Sequence, residues 1–238
     1  MKIKALLIAT GLSVLSVSTA FASGHGPQSE PWTMKEWLDT KNQMPEGSVE
    51  AGQKLVEQGY CYTCHGVEGK NMTQATPSLA GQNPVYTYKM LKDYKSGRFN
   101  VDHKSDVMVH LMQIYSDQQM ADMAAYYAAQ PLPYANYVTK DTEVEPGIVR
   151  LANKGDNSRM IVPCASCHGA HGEGGLNETP ALTNLSPRMF VRYMEAYRDG
   201  SRHNDVVSGM AQFAKDLTDE EIQGLADYYA QLKPRGVE

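Results

Sequence analysis

Two segments, Cys61-Tyr62-Thr63-Cys64-His65 and Cys164-Ala165-Ser166-Cys167-His168, contain all four cysteines of this 238-residue chain. Further residues recur at the same spacing of 103 positions, or at 102 after one residue drops out: Pro77 and Pro180, Gly97 and Gly200, Met108 and Met210, Tyr126-Tyr127 and Tyr228-Tyr229. A period this long indicates a duplicated domain, because solenoid repeats span only about 20–50 residues. We therefore predict domains at 48–130 and 147–238, joined by a polar, Pro-bearing linker at 131–146.

Each segment has the pattern C-x-x-C-H, the attachment signature of c-type haem, in which two thiols form thioethers with the haem vinyl groups and the His binds the iron. A thioredoxin-like disulfide needs no following His. A four-Cys zinc site would have to join cysteines from separate repeats, and structural disulfides would suit an exported protein. None of these alternatives explains a His at the same place twice. The predicted cofactors are therefore two covalently bound haem c groups, and the predicted residues are Cys61, Cys64, Cys164 and Cys167 for attachment, with His65 and His168 as axial ligands.

The second axial position of each iron suits a Met thioether, which gives a low-spin, six-coordinate iron with a raised potential. The chain has 13 Met residues, and most of them must be core or surface residues. Met108 and Met210 lie 43 and 42 residues after the His of their own motifs, so we predict these two as ligands. Met112 is the nearest competitor, but its counterpart is Ala214. His103, His110 and His203 are the weaker alternatives in the same loops.

Helical signals surround both motifs, and no convincing strand pattern appears. Ser116 and Thr218 each begin a capping box, with Gln119 or Glu221 at the third helical position. The helices that follow carry apolar stripes at i, i+3, i+4 and i+7: Met120, Met123, Ala124 and Tyr127 in the first, Ile222, Leu225, Ala226 and Tyr229 in the second. A helix over about 83–95 and one capped by Ser48 precede them. The predicted fold class is all-α, with each small domain wrapped around one haem.

The first 22 residues have the composition of a leader that is removed on export. Lys2 and Lys4 are followed by a largely apolar run and by Ala20-Phe21-Ala22, which fits an A-x-A cleavage site. An uncleaved anchor is the alternative. Loss of the two lysines takes the formal net charge from −5 to −7. Nucleic acid is excluded as a partner because its binding requires a basic face.

The chain resembles the dihaem cytochromes c of the cytochrome c4 family, over about 48–233. The resemblance rests on both C-x-x-C-H segments, the 77–82 segment Pro-Ser-Leu-Ala-Gly-Gln, Met108 and the Tyr pairs that end the helices. It implies that the carbonyls of Pro77 and Pro180 accept hydrogen bonds from the axial His residues. It also implies cofactor contacts for Gln82, Tyr86 and Arg98, and a close crossing of the first and last helices at Gly52 and Gly147. The second half departs from this pattern, with Leu185 in place of Gln82 and Met189 in place of Tyr86.

An N-terminal extension at 23–47 holds both tryptophans, Trp32 and Trp37, and lies outside the family pattern. Residues 30–38 suggest a short helix with Pro31 near its first turn. Its two large apolar rings suggest a strap packed over the first domain. A docking element for a partner protein is the alternative.

These observations predict a periplasmic electron carrier in a respiratory chain. Its donor would be a quinol-oxidising complex or a periplasmic dehydrogenase, and its acceptor a terminal oxidase or reductase. Peripheral membrane association is left open. The competing hypothesis is a dihaem enzyme or enzyme subunit, such as a peroxidase, a thiosulfate dehydrogenase or a flavocytochrome partner. Enzymes of that kind need an open or unusually ligated iron, whereas both repeats here offer Met, so we predict no catalytic residue.

Overall fold

The computed structural model describes residues 30–70, 73–133 and 142–234, and it is helical throughout. The predicted leader at 1–22 and part of the predicted linker, 134–141, lie outside the described residues. Eleven α-helices occur in the described part: α1 Met34–Asn42, α2 Val49–Gln58, α3 Tyr62–His65, α4 Pro84–Ser96, α5 His103–Met112, α6 Asp117–Ala128, α7 Pro146–Lys154, α8 Ala165–His168, α9 Pro187–Asp199, α10 Gly209–Ala214 and α11 Asp219–Gln231. Extended pairing in these residues is limited to two isolated bridges. The predicted all-α class is confirmed.

Each half has its own apolar core, built from the helices that the sequence predicted. In the first half α6 packs against α2 and α4, and the predicted stripe from Met120 to Tyr127 is buried there. In the second half α11 packs against α7 and α9, and the stripe from Ile222 to Tyr229 is buried. None of the helices in the described ranges is both long and apolar enough to cross a membrane.

The helix starts predicted at Ser48, Ser116 and Thr218 are present, and each is fixed by a side-chain cap. The Ser48 hydroxyl accepts the Ala51 N–H at the start of α2. Ser116 and Thr218 form complete capping boxes at α6 and α11. A cap of this kind stabilises a helix by about 1 kcal/mol, because it satisfies backbone N–H groups that have no partner within the helix.

The two halves differ at the predicted helix crossings. A Cβ built on Gly52 would lie 2.0 Å from the Asp122 carbonyl oxygen, so α2 and α6 approach too closely for any side chain there. At Gly147 nothing lies within 4 Å, and the expectation for this residue is wrong. The close approach in the second half occurs instead at Gly224 of α11, where a Cβ would lie 2.7 Å from Ile148. Both crossings require one glycine, but the halves place it on different helices.

The N-terminal segment packs against both halves. The helix predicted over 30–38 is wrong in its bounds, because Thr33 forms a capping box with Glu36 and α1 therefore begins only at Met34. Trp32 and Trp37 are buried and meet edge to face, with 5.6 Å between ring centroids. The Trp32 carbonyl accepts the N–H of Val207 from the second half at 2.9 Å. The segment thus contacts more than the predicted first domain.

Buried polar groups join the halves beneath this segment, and we call Trp32, Lys89, Asp93 and Asn204 the junction cluster. The Asp93 carboxylate accepts from Trp32 Nε1 at 2.5 Å, from Lys89 Nζ at 2.7 Å and from Asn204 Nδ2 at 2.6 Å. Lys89 also donates to the Asn204 carbonyl at 2.5 Å. Lys89 and Asp93 lie on α4 of the first half, so the cluster connects α4 to the second half and to the N-terminal segment.

Candidate cofactor sites

The C-x-x-C-H segments form single helical turns that bring their thiols and imidazole together. In the first half the His65 N–H donates to the Cys61 carbonyl at 3.0 Å, which closes the turn of α3. In the second half His168 makes the matching bond to Cys164 at 2.9 Å. All four cysteines are free of disulfides. Two thiols within one turn, followed at once by an imidazole, form the donor set that a covalently attached haem requires.

Both imidazoles are buried and oriented by a backbone carbonyl. His65 Nδ1 lies 3.0 Å from the Pro77 oxygen, and His168 Nδ1 lies 2.9 Å from the Pro180 oxygen. Because a carbonyl only accepts, Nδ1 carries the proton and Nε2 keeps its lone pair. Burial lowers the pKa of both imidazoles, so they are neutral at physiological pH. A neutral imidazole with Nε2 available is the form that binds iron, and these residues therefore fit the cofactor.

Each site also presents a buried tyrosine hydroxyl to its first cysteine. Tyr127 faces the Cys61 thiol, and Tyr229 faces the Cys164 thiol. Burial raises the pKa of both thiols, so they are poor thiolates. Conversion of such a cysteine to a thioether removes an ionisable group from an apolar site.

The two predicted Met ligands are half-buried, and each lies on a short helix in the second part of its own half. Met108 lies on α5, and Met210 lies on α10 against the second core. The Asp205 carboxylate accepts the Met210 N–H at 2.6 Å and so holds the start of α10. Met112, one turn after Met108, is only 3% exposed and belongs to the interior of the first half. The ligand roles of Met108 and Met210 stay predictions.

The three residues with implied cofactor contacts are Gln82, Tyr86 and Arg98, and in the structure they contact other protein groups near the junction of the halves. Both atoms of the Gln82 side-chain amide bond to the backbone of Ala181. The Tyr86 hydroxyl lies 3.5 Å from Nη2 of Arg202. The Arg98 guanidinium stacks 3.9 Å above the Trp32 ring and donates to the Glu30 carbonyl. Their cofactor contacts stay predictions.

Arg202 was not among the predicted site residues, and the structure places it in an aromatic cage. Its guanidinium is 3% exposed and lies within 5 Å of three ring centroids, those of Phe99, Tyr193 and Tyr197. Phe99 comes from the first half and the tyrosines from the second, so the contact depends on how the halves meet. A repeat alignment compares equivalent positions and cannot detect such a pairing between positions that are not equivalent.

Comparisons with known proteins agree with the duplicated architecture. The family described as "Cytochrome c" matches residues 49–129, and the family described as "Cytochrome C oxidase, cbb3-type, subunit III" matches residues 159–228. The crystal structure of reduced recombinant cytochrome c4 from Pseudomonas stutzeri superposes with a TM-score of 0.65 at 28% identity, covering 79% of this chain and 100% of that one.

Two relatives match across most of both domains. Cytochrome c4 of Thiocapsa roseopersicina is 32% identical over 189 residues, which cover 78% of this chain and 93% of the relative. A protein of Stutzerimonas stutzeri (strain A1501) named "Thiosulfate dehydrogenase electron acceptor" is also 32% identical over 189 residues, covering 76% of this chain and 86% of the relative. Together with the two haem-attachment turns, these matches identify the chain as a dihaem, electron-carrying member of the cytochrome c4 family with two covalently bound haem c groups.

Proposed function

We propose that this chain carries electrons in the periplasm as part of a respiratory chain, using two haems that are each ligated by His and Met. The observation that carries the proposal is the same constellation in both halves: a buried imidazole held by a proline carbonyl, with a Met at the matching later position. When bound, a haem of this type supplies one-electron Fe(III)/Fe(II) chemistry without ligand exchange.

The protein's contribution is to hold each imidazole in one orientation and to keep water away from it. His65 and His168 are 9% and 8% exposed, so both imidazoles are largely shielded from water. The carbonyls of Pro77 and Pro180 fix the ring plane and increase the basicity of Nε2. A fixed donor set lowers the reorganisation that accompanies electron transfer.

Export to the periplasm is supported by the composition of residues 1–22, which fits a cleaved leader. A quinol-oxidising complex or a periplasmic dehydrogenase would then supply electrons, and a terminal oxidase or reductase would accept them. The relative named as a thiosulfate dehydrogenase electron acceptor favours the dehydrogenase among these donors. It also favours, as a second candidate function, an electron-accepting subunit of such an enzyme.

A spectroelectrochemical titration of the haem-loaded protein tests the proposal. Two low-spin haems at positive potential, both with the weak Met–Fe(III) charge-transfer band, are expected. A high-spin haem, or one without this band, would instead indicate an enzyme with its active site at that iron.

Substitution of the ligands assigns the band to individual residues. Met108→Ala and Met210→Ala should each remove the band of one haem and lower its potential, because a thioether stabilises Fe(II). Met112→Leu is the matched control in the first half and should keep both bands. Loss of a band in the control, with retention in Met108→Ala, would contradict the assignment of Met108.

A further inference from the structure

One peptide group in the second half is hydrogen-bonded at both ends, and its two partners come from different halves. The carbonyl of Pro180 accepts from His168 Nδ1 at 2.9 Å. The N–H of the same peptide group, which belongs to Ala181, donates to Oε1 of Gln82 at 2.8 Å. A continuous chain of hydrogen bonds therefore runs from a side chain of the first half to the imidazole of the second.

Gln82 is held firmly in the position that this contact requires. Its Nε2 donates to the Ala181 carbonyl at 3.2 Å, so the Gln82 amide bonds to both the N–H and the carbonyl of Ala181. Its Oε1 also accepts the N–H of Asn83 at 2.8 Å. Gln82 is 5% exposed and Ala181 is fully buried, so water does not compete for these bonds.

Hydrogen bonds in such a chain strengthen one another. When the N–H of a peptide group donates, electron density moves toward its carbonyl oxygen, and the oxygen becomes a better acceptor. The low dielectric of a buried site increases the effect. The bond from Gln82 should therefore strengthen the bond that Pro180 makes to His168.

The repeat does not reproduce this contact in the other direction. The counterpart of Gln82 in the second half is Leu185, which has no amide to offer. The second half instead provides Asn184, whose Nδ2 lies 3.4 Å from the Ser78 carbonyl oxygen. The carbonyl that orients His65 is that of Pro77, so Asn184 contacts the next peptide group along the chain and not the one bonded to His65. Among the described hydrogen bonds, the opposite half thus contacts directly the peptide group that orients His168.

We propose that Gln82 is a positioning residue for the axial imidazole of the second haem and sets the potential of that haem from the opposite domain. A stronger Nδ1–H···O bond gives the imidazole more anionic character and stabilises Fe(III), so Gln82 lowers the potential of the second haem. This inference rests on the axial role of His168 given under the proposed function.

The test compares two substitutions at position 82 in the haem-loaded protein. Gln82→Met keeps the side-chain length and removes the acceptor, so the potential of the second haem should rise while that of the first stays unchanged. Gln82→Glu keeps an acceptor oxygen, so the potential of the second haem should stay at the wild-type value or fall below it. Gln53→Met, at an exposed site of the first half, is the control and should change neither potential.

NMR of protein labelled with ¹⁵N in histidine provides a second readout. The hyperfine-shifted Nδ1–H resonance of His168 should move in Gln82→Met, and that of His65 should stay in place. A shifted His168 resonance that is identical in wild type and Gln82→Met would overturn the inference and leave the proposed function intact. Equal changes at both haems would also overturn it, because they would indicate a general loosening of the junction. A His168 resonance without any hyperfine shift would refute the axial role itself.

Discussion

Asp93 is predicted to be the residue of the junction cluster whose loss is most destabilising. It is fully buried and accepts three hydrogen bonds, one of them from the ammonium group of Lys89. Desolvation by burial lowers the pKa of Lys89, and the contact with Asp93 is the largest effect in the opposite direction. In Asp93→Ala the ammonium would stay buried without its carboxylate. Removing one partner of a buried ion pair costs about 3–5 kcal/mol.

The chain contains a matched control for this experiment. Lys35 and Asp39 form an ion pair with the same i,i+4 spacing and nearly the same N–O distance, 2.6 Å against 2.7 Å. Their side chains are 86% and 54% exposed, whereas those of Lys89 and Asp93 are 4% and 0% exposed. Asp39→Ala should therefore destabilise the protein much less than Asp93→Ala, because solvent screens an exposed pair.

Equilibrium unfolding in urea, followed by circular dichroism, measures both effects, and urea leaves the ionic strength unchanged. A third variant separates charge from packing. Lys89→Met combined with Asp93→Leu removes both charges and should recover much of the stability lost in Asp93→Ala, since apolar replacements of buried ion pairs are often neutral. If Asp93→Ala costs no more than Asp39→Ala, the buried pair does not have the role assigned here.

Two further predictions concern the packing of the helices and the response to acid. Gly52→Ala should destabilise the first half by about 1–3 kcal/mol, because its Cβ would overlap the Asp122 carbonyl. Gly147→Ala should instead stabilise α7 by up to about 1 kcal/mol, because nothing lies near its Cβ position. Urea midpoints that change equally in the two variants would contradict this difference in packing. Arg159 donates two hydrogen bonds to Glu221 and lowers the pKa of its carboxyl below the ordinary 4.5. The stability from this pair is present above that pH and is lost as the pH falls through the lowered pKa, so Arg159→Gln should show a smaller acid dependence of the urea midpoint.

The features that the sequence predicted correctly depend on local physics. A hydroxyl residue followed three residues later by Gln or Glu is a local signal for a helix start, and Ser116 and Thr218 both start helices in this way. Apolar residues at i, i+3, i+4 and i+7 report which helix face is buried, without reference to the partner. For the same reason the attachment turns could be predicted, since C-x-x-C-H requires only neighbouring residues.

The features that the sequence missed depend on which surfaces meet. Gln82 and Ala181 are 99 positions apart, and nothing in either local pattern indicates the bond between them. Helix α1 begins at Met34 rather than near Pro31, because the Thr33–Glu36 capping box determines where the helix starts. At the second crossing the glycine lies on α11 rather than on α7, because a close approach needs a small residue on only one of its two helices.

The duplication itself raises the question of how two similar sites can differ. Both halves have the same attachment turn, the same bond from His to a proline carbonyl and a Met at matching positions, so the repeated residues alone would give two similar potentials. A difference must come from residues that the repeat does not share, and Gln82 at the junction of the halves is one of them. Gln82 corresponds to Leu185 in the repeat, and Trp32 of the N-terminal segment donates to Asp93 of α4 in the first half. Sequence divergence at the junction is therefore a route by which two sites built from the same repeated residues can differ in potential.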